Sequence, residues 1–401
     1  MDLIMKVDTC RLMPVVLILG IWVGSASGAA PADVVSPDPV SRTEHSATGP
    51  ADGASPQRAV SLRAADTIYR NKVLIEDTVL RGEVLVEGAL TVAPQATLTI
   101  EPGTVIRFRR TESSAGGGAA LVVRGRILAN GNGEKPVRFT SADDGSASGW
   151  DGIVLLASDK KNLLEHCRVE GAGIGCEALF SSFSMKYVQF VACHTGIVLK
   201  ESTAVIIGGG SGGGDVGMVL RDSEVDLREA VFTGNRRGLV AAGTSLFLSG
   251  VTFSDNREAG IIADNCRLRI SSSSFAGNGI GLGLTSCEGG IDACRIENNA
   301  GDGLFLDRSR LKVSGNEISH NGKAGLRVSD GGSVAWGNSF SANGEYDLYN
   351  AGSDDFTAIG NWWGGVPASG IVQRIYGQHQ DQSRGKVRYE PFQPESAANG
   401  L

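Results

Sequence analysis

The chain has 401 residues, 56 of them glycine and 12 proline, and a formal net charge of −7 from 37 basic and 44 acidic residues spread along it. That balance gives no basic face of the kind a nucleic-acid binder needs, so nucleic acid is not an expected partner. The length would allow two or three ordinary domains, but one internal repeat fills most of the chain and argues instead for a single solenoid.

Residues 1–28 read as a secretory signal. Lys6 and Arg11 supply a basic start, Val15 to Val23 is apolar apart from Gly20, and Ala26-Ser27-Gly28 offers small residues for cleavage before Ala29. The apolar run is too short to span a bilayer comfortably. Cleavage would leave no membrane span, and a retained anchor is the alternative. Residues 29–68 are rich in Ala, Pro, Ser, Asp and Gly without an apolar period, the pattern of a disordered linker.

Residues 69–151 are expected to form an N-terminal cap and the first coils. Val79 to Val86, Leu98 to Ile100, Thr104 to Phe108, Leu121 to Leu128 and Val137 to Thr140 alternate or run apolar between turn residues, as strands do.

Residues 152–351 carry the repeat. Phe232, Phe253, Phe275, Ile296, Ile318 and Phe340 follow one another at steps of 21 or 22 residues. An Asn column (Asn235, Asn256, Asn278, Asn299, Asn321, Asn343) sits three residues after each, and a Gly-plus-apolar step follows at Gly238-Leu239, Gly260-Ile261, Gly281-Leu282, Gly303-Leu304 and Gly325-Leu326. A fixed period of this size means stacked repeats. Period 2 within each short run, with inward residues such as Leu199, Leu220, Leu284 and Leu306, makes the coils strands. The predicted fold is all-β: a single right-handed parallel β-helix with coils of about 21–22 residues. The Asn column reads as structural, with amides bonding to one another and Asn tolerating a left-handed corner. The Gly after it is expected to permit a tight turn. Residues 352–401 are expected to be the C-terminal cap and tail, with Trp362 and Trp363 in the core of the cap.

Beyond Cys10 in the leader there are Cys167, Cys176, Cys193, Cys266, Cys287 and Cys294, none in a CxxC pair, so zinc is not expected. Cys266 and Cys287 fall at the same position of adjacent coils. They read as small buried residues filling a corner, with a disulfide between them the alternative.

Three segments resemble the right-handed β-helix repeat proteins of the pectate-lyase-like superfamily. They are Leu98-Thr99-Ile100-Glu101-Pro102-Gly103-Thr104-Val105-Ile106, then Thr140-Ser141-Ala142-Asp143-Asp144 with Trp150-Asp151-Gly152-Ile153, and Gly360-Asn361-Trp362-Trp363-Gly364 near the end. The resemblance spans residues 79–393. It implies the fold, and it leaves activity open, because this scaffold hosts lyases, hydrolases, epimerases, binding proteins and adhesins.

Function has to be sought on positions the repeat leaves free. The outward column of the first strand in each coil reads Val198, Val219, Val240, Ile262, Gly283, Phe305, Arg327 and Tyr349. Its apolar stretch, Val198-Val219-Val240-Ile262, is a candidate face for a protein partner. Phe305, Arg327 and Tyr349 are candidate ligand-binding residues, since a ring face and a fork of donors suit a pyranose or uronate. Beside them Asp264, Asp307, Arg308 and Asp330 are the candidate catalytic residues. Two strand spacings put Asp264 and Asp307 about 10 Å apart, near the upper end for an inverting carboxylate pair. A lyase would use the acids for calcium and a base such as Arg308, a role the resemblance allows. No metal or other cofactor is otherwise expected.

Gly209-Gly210-Ser211-Gly212-Gly213 matches the nucleophile-elbow pattern but lacks the following helix. The five histidines share no coil position. The expectation is an exported protein, periplasmic or at the cell surface, that binds or organises extracellular polysaccharide. A polysaccharide lyase, glycosidase or epimerase is the alternative, and a protein-interaction scaffold or adhesin a third.

Overall fold

The computed structural model describes residues 65–111, 118–143 and 149–394. The leader expected over 1–28, and all but the end of the linker expected over 29–68, lie outside the described residues. The first strand starts at Thr67, just inside that linker stretch. The Asp66 N–H donates to Glu83 O at 2.8 Å, and the Glu83 N–H donates back to Asp66 Oδ2 at 3.1 Å, which ties the chain to the next coil there.

The described residues carry 39 strands. Each pairs in parallel with its equivalent one coil on, as Thr195–Lys200 does with Val216–Arg221. Every coil contributes three walls. In one coil the third wall is Gly210–Gly212, the first Val216–Arg221 and the second Glu224–Arg228. The expected parallel β-helix is therefore the observed fold. Two predicted strands are each split by a corner. Val79 to Val86 becomes Thr78–Leu80 and Glu83–Val92, and Leu121 to Leu128 becomes Ala120–Val123 and Arg126–Asn130. In each case a glycine, Gly82 or Gly125, turns the chain between walls while the apolar alternation carries on.

The interior is built from columns. All six lead residues from Phe232 to Phe340 are fully buried. The Phe232, Phe253 and Phe275 rings stack at 5.1 and 5.4 Å. Trp363 continues the column at 5.1 Å from Phe340, while Trp362 beside it is half-buried. Ser211 occupies the same column between Phe190 and Phe232, buried and facing inward, which removes it as a nucleophile.

The Asn column is a hydrogen-bonded ladder. Asn256 Nδ2 donates to Asn278 Oδ1 at 2.9 Å and to the Phe232 carbonyl at 3.0 Å, and the Asn256 N–H donates to the same Oδ1 at 3.1 Å. Equivalent amide-to-amide bonds run from Asn235 to Asn343. A second ladder, Asn316–Asn338–Asn361, crosses another corner. Burial without loss of hydrogen bonds is what makes these polar columns tolerable inside the coil.

Two details depart from the sequence reading. The left-handed residue at this corner is the one before each Asn, for example Gly234 (φ 66°) and Asp255 (φ 55°), and not the Asn itself. The glycine that follows serves close approach. A Cβ on Gly238 would stand 2.5 Å from the Gly260 carbonyl oxygen and 2.6 Å from the Phe253 ring. The six cysteines among the described residues are free and buried, and Cys266 and Cys287 occupy the inner side of a corner lined before them by Ser and Thr hydroxyls. The stack ends in a short helix, Ala368–Ile371, followed by the 3-10 turn Val372–Arg374 and the last strands Ile375–Tyr376 and Val387–Arg388. Among the described residues no helix is long and apolar enough to cross a membrane.

Candidate functional site

Strand register builds the site on the outside of the first wall, towards the C-terminal end. Phe305 lies beside Arg327, Arg327 beside Tyr349, and Tyr349 beside Tyr376. All four point outward because their chain neighbours Leu304, Leu306, Leu326, Val328, Leu348 and Ile375 are buried inside. The column packs face to face. The Arg327 guanidinium carbon sits 4.2 Å from the Tyr349 ring centroid. The Tyr349 and Tyr376 rings stack at 4.3 Å with 3° between planes. Tyr346 flanks both, 5.7 Å from Tyr349 and 5.3 Å from Tyr376.

Arg327 is held from one side by Asp302, with Nε to Oδ2 at 2.8 Å and Nη2 to Oδ1 at 3.3 Å, and Glu345 lies 3.7 Å away. Asp302 is buried and also accepts from the Ala324 N–H at 3.0 Å. Burial pulls the Arg327 pKa down, and the Asp302 contact more than offsets this, so the cation is secure. Burial, then Tyr349 and Asp381, push the Tyr376 phenol above its ordinary value, which keeps it a neutral donor. The result is a half-exposed platform of two stacked phenols and a fixed guanidinium, rimmed by carboxylates.

The charged residues beside it are less gathered. Asp264, Thr285 and Asp307 follow one another in register, so the two carboxylates are two strand spacings apart, about 10 Å. Asp307 is paired with Arg308 Nη2 at 2.8 Å. Arg308 and Asp330 are corner residues with φ of 44° and 55°, in the same left-handed column as Glu201, Asp222, Asn265 and Ser286. Asp330 accepts the Ser353 N–H at 2.9 Å, which commits its carboxylate to the neighbouring turn. Asp264 is exposed. The geometry thus pairs Asp307 with Arg308, sets Asp330 one coil on from Arg308 with its carboxylate on the neighbouring turn, and leaves Asp264 two coils from Asp307. Among the described residues no group of three or more His, Cys, Asp or Glu side chains is placed to hold a metal ion. A polar groove of about 530 Å³ runs along this corner, lined among others by Asn265, Arg267, Glu288, Arg308 and Arg310. Arg267 and Glu288 pair across it at 2.8 Å.

The apolar part of the column is more closed than the sequence suggests. Val198 and Val219 are only 6% and 7% accessible and cluster with Val216, Ile174 and Val240. These β-branched side chains bury one another, so the free apolar face expected at Val198-Val219-Val240-Ile262 is reduced to the half-buried Val240 and Ile262.

A family model described as "Right handed beta helix region" matches residues 216–362, and another described as "Pectate-lyase like beta helix domain" matches residues 72–189. The models describe right-handed and pectate-lyase-like β-helices, and the chain is a right-handed parallel β-helix of that kind. No curated protein matches it in sequence. Among solved structures, this β-helix protein is similar to the periplasmic alginate epimerase AlgG at 14% identity, covering 78% of each chain with a TM-score of 0.36. It is similar to the A-module of the Azotobacter vinelandii mannuronan C-5 epimerase AlgE6 at 13% identity, covering 78% of this chain and 91% of that one, TM-score 0.35. Tailspike protein 3 of bacteriophage CBA120 aligns at 10% identity over 76% and 59% of the two chains, TM-score 0.42. Likeness at this level does not bear on what this chain does.

The sequence places Phe305, Arg327 and Tyr349 in one outward column, as the register has them, and its period gives no sign that Tyr376, Tyr346, Asp302 and Glu345 join them. Tyr376 comes 27 residues after Tyr349, outside the 21–22 step, because the helix and 3-10 turn are inserted between them. One signal was available: Leu348-Tyr349 and Ile375-Tyr376 repeat the same inward–outward pair.

Proposed function

We propose that this β-helix protein binds an extracellular polysaccharide along the column Phe305–Arg327–Tyr349–Tyr376 and does not transform it. The observation that carries the reading is the Arg327–Tyr349–Tyr376 stack at 4.2 and 4.3 Å, a half-dry ridge that turns ring edges and phenol hydroxyls outward. Hydroxyls and ring edges in a fixed row suit the hydroxyls and C–H groups of a sugar chain, and Arg327, a cation held in place by Asp302, suits a carboxylate-bearing residue. The acid–base groups of an enzyme are not gathered there. Asp307 is neutralised by Arg308, and Asp330 is spent on a turn. On the same reading the leader over 1–28 delivers the solenoid to the periplasm or cell surface, with 29–68 as its tether, 69–151 and 352–401 as its ends and 152–351 as the regular stack.

The test is a binding screen of the purified chain against uronate-containing and neutral polymers by affinity electrophoresis, with unsaturated products followed by ultraviolet absorbance. Tyr349→Ala and Arg327→Ala are each expected to weaken binding about tenfold, the loss of roughly 1–1.5 kcal/mol for a hydrogen bond to the ligand. Unchanged binding in the double variant would sink the platform. Turnover abolished by Asp307→Ala would establish an enzyme instead.

A further inference from the structure

Cys266 and Cys287 meet at a corner in consecutive coils. The pairs on either side fix their relation: Asp264 lies beside Thr285 and Arg267 beside Glu288, so the cysteines face each other across one strand spacing. That spacing is about 4.8 Å, within the Cα separation of roughly 4.4–6.8 Å that a disulfide spans. Both side chains are buried on the inner side of the corner, where the Cys266 thiol donates to the Asp264 carbonyl at 3.2 Å and the Cys287 thiol to the Thr285 carbonyl at 3.2 Å.

From Ser181 to Ser309 the rest of this column is hydroxylic. The Ser181 N–H donates to Ser202 Oγ, the Ser202 N–H to Ser223 Oγ, the Ser223 N–H to Thr244 Oγ1 and the Cys287 N–H to Ser309 Oγ. A hydroxyl at this position satisfies the corner, so the two thiols are not required for the ladder. The remaining described cysteines have no cysteine opposite them. Cys176, for instance, lies between Ile153 and Ile197. The two thiols also differ. Closeness to Cys287 lowers the Cys266 thiol against burial, and the same closeness pushes Cys287 up. Both stand at the polar groove with Asn265, Arg308 and Arg310, each only 2% accessible.

We propose that Cys266 and Cys287 are an oxidation site that closes to an intrachain disulfide, tying two adjacent coils beneath the groove. The oxidant is a disulfide of the general form RSSR, small or protein-borne, of the kind an oxidising compartment supplies. The Cys266 thiolate attacks one sulfur of RSSR and expels RS⁻, which takes up the proton that Cys266 released. The Cys287 thiolate then attacks the Cys266 sulfur of the mixed disulfide and expels the second RS⁻, which is protonated in turn. The two protein thiols lose two electrons and two protons, and RSSR becomes two RSH.

The experiment uses the purified full chain. One sample is held in dithiothreitol and one in oxidised glutathione. Both are then denatured, alkylated with iodoacetamide, digested and weighed by mass spectrometry. A linked Cys266–Cys287 peptide pair is expected in the glutathione sample and two alkylated peptides in the reduced one, with the urea midpoint higher for the oxidised form. Cys287→Ser restores the hydroxyl used elsewhere in the column, so it folds. It is expected to lose the link and leave Cys266 as a glutathione mixed disulfide. Complete alkylation of both cysteines after glutathione treatment, linkage to some other cysteine instead, or a midpoint equally raised in Cys287→Ser would each overturn the proposal.

Discussion

At the scale of single residues the glycines separate two effects that look alike in sequence. Gly238 and Gly234 are four apart at the same corner. Gly238 has an ordinary backbone and no room, with the Gly260 carbonyl oxygen and the Phe253 ring 2.5 and 2.6 Å from a would-be Cβ. Gly234 has room on every side and a φ of 66°. Gly234→Ala is expected to cost about 1–2 kcal/mol of left-handed strain. Gly238→Ala must displace backbone as well as a packed ring, so it is expected to cost more, about 3 kcal/mol or above when overpacking moves main chain. Urea denaturation of the two variants checks the order, and equal midpoints would contradict it. The sequence shows that a glycine recurs here. Which of the two needs it serves depends on how closely the next coil approaches, a distance no single chain position encodes.

At the scale of elements, one corner arginine ties neighbouring coils together. Arg236 reaches back to Asp215, with Nε to Oδ1 at 2.6 Å and Nη2 to Oδ2 at 2.9 Å, and forward to Glu258 with Nη1 at 2.8 and 2.9 Å. It therefore clamps three consecutive coils. Its hydrogen bonds hold the Asp215 carboxyl below its ordinary range. Burial raises Glu258, but hydrogen bonds from Arg236 and Arg237 bring it to a net lowering. A depressed carboxyl contributes stability that is complete above the unfolded pKa, about 4, and is lost as the pH falls through the folded value. Partial exposure keeps the total to about 1 kcal/mol. Arg236→Ala is thus expected to lower the thermal midpoint near pH 6, and the gap to the unaltered chain should close as the pH drops below 4. A gap that stays constant down to pH 3 would mean the residue acts through packing of its stem. The walls were legible in sequence because period 2 and period 21–22 act on the same residues. The clamp was not, since Asp215, Arg236 and Glu258 belong to the connecting corners, where the repeat constrains no side-chain type.

At the scale of the whole molecule, the stack turns sequence period into spatial adjacency. That is why the outward columns read from the sequence match the register from Val198 to Tyr349. The reading fails where the period is broken. Tyr376 is displaced by the inserted helix, and Asp302 and Glu345 belong to the connections that lead into the first wall. The candidate site is completed by the cap through Tyr376, so on the proposed reading the cap serves binding as well as being an end-stop for exposed strand edges.

The Asn ladder has a further property. Backbone hydrogen bonds between coils run both ways, since the Glu201 N–H donates forward to Arg221 O and the Thr203 N–H donates back to Ser181 O. The side-chain amides do not alternate. From Asn235 to Asn343 every Nδ2 donates to the Oδ1 of the next coil towards the C-terminus. The amide dipoles are therefore aligned and form a polarised wire inside the solenoid, positive at its C-terminal end. The last Nδ2, on Asn343, donates at 2.8 Å to Oδ1 of the buried Asp347, whose carboxylate Arg374 pairs at 3.0 Å. An anion thus terminates the positive end of the row, as it would at the N-terminus of an α-helix. Asp347→Ala is expected to cost about 3 kcal/mol or more by urea denaturation, as it strands a buried amide donor and half-buried Arg374 together.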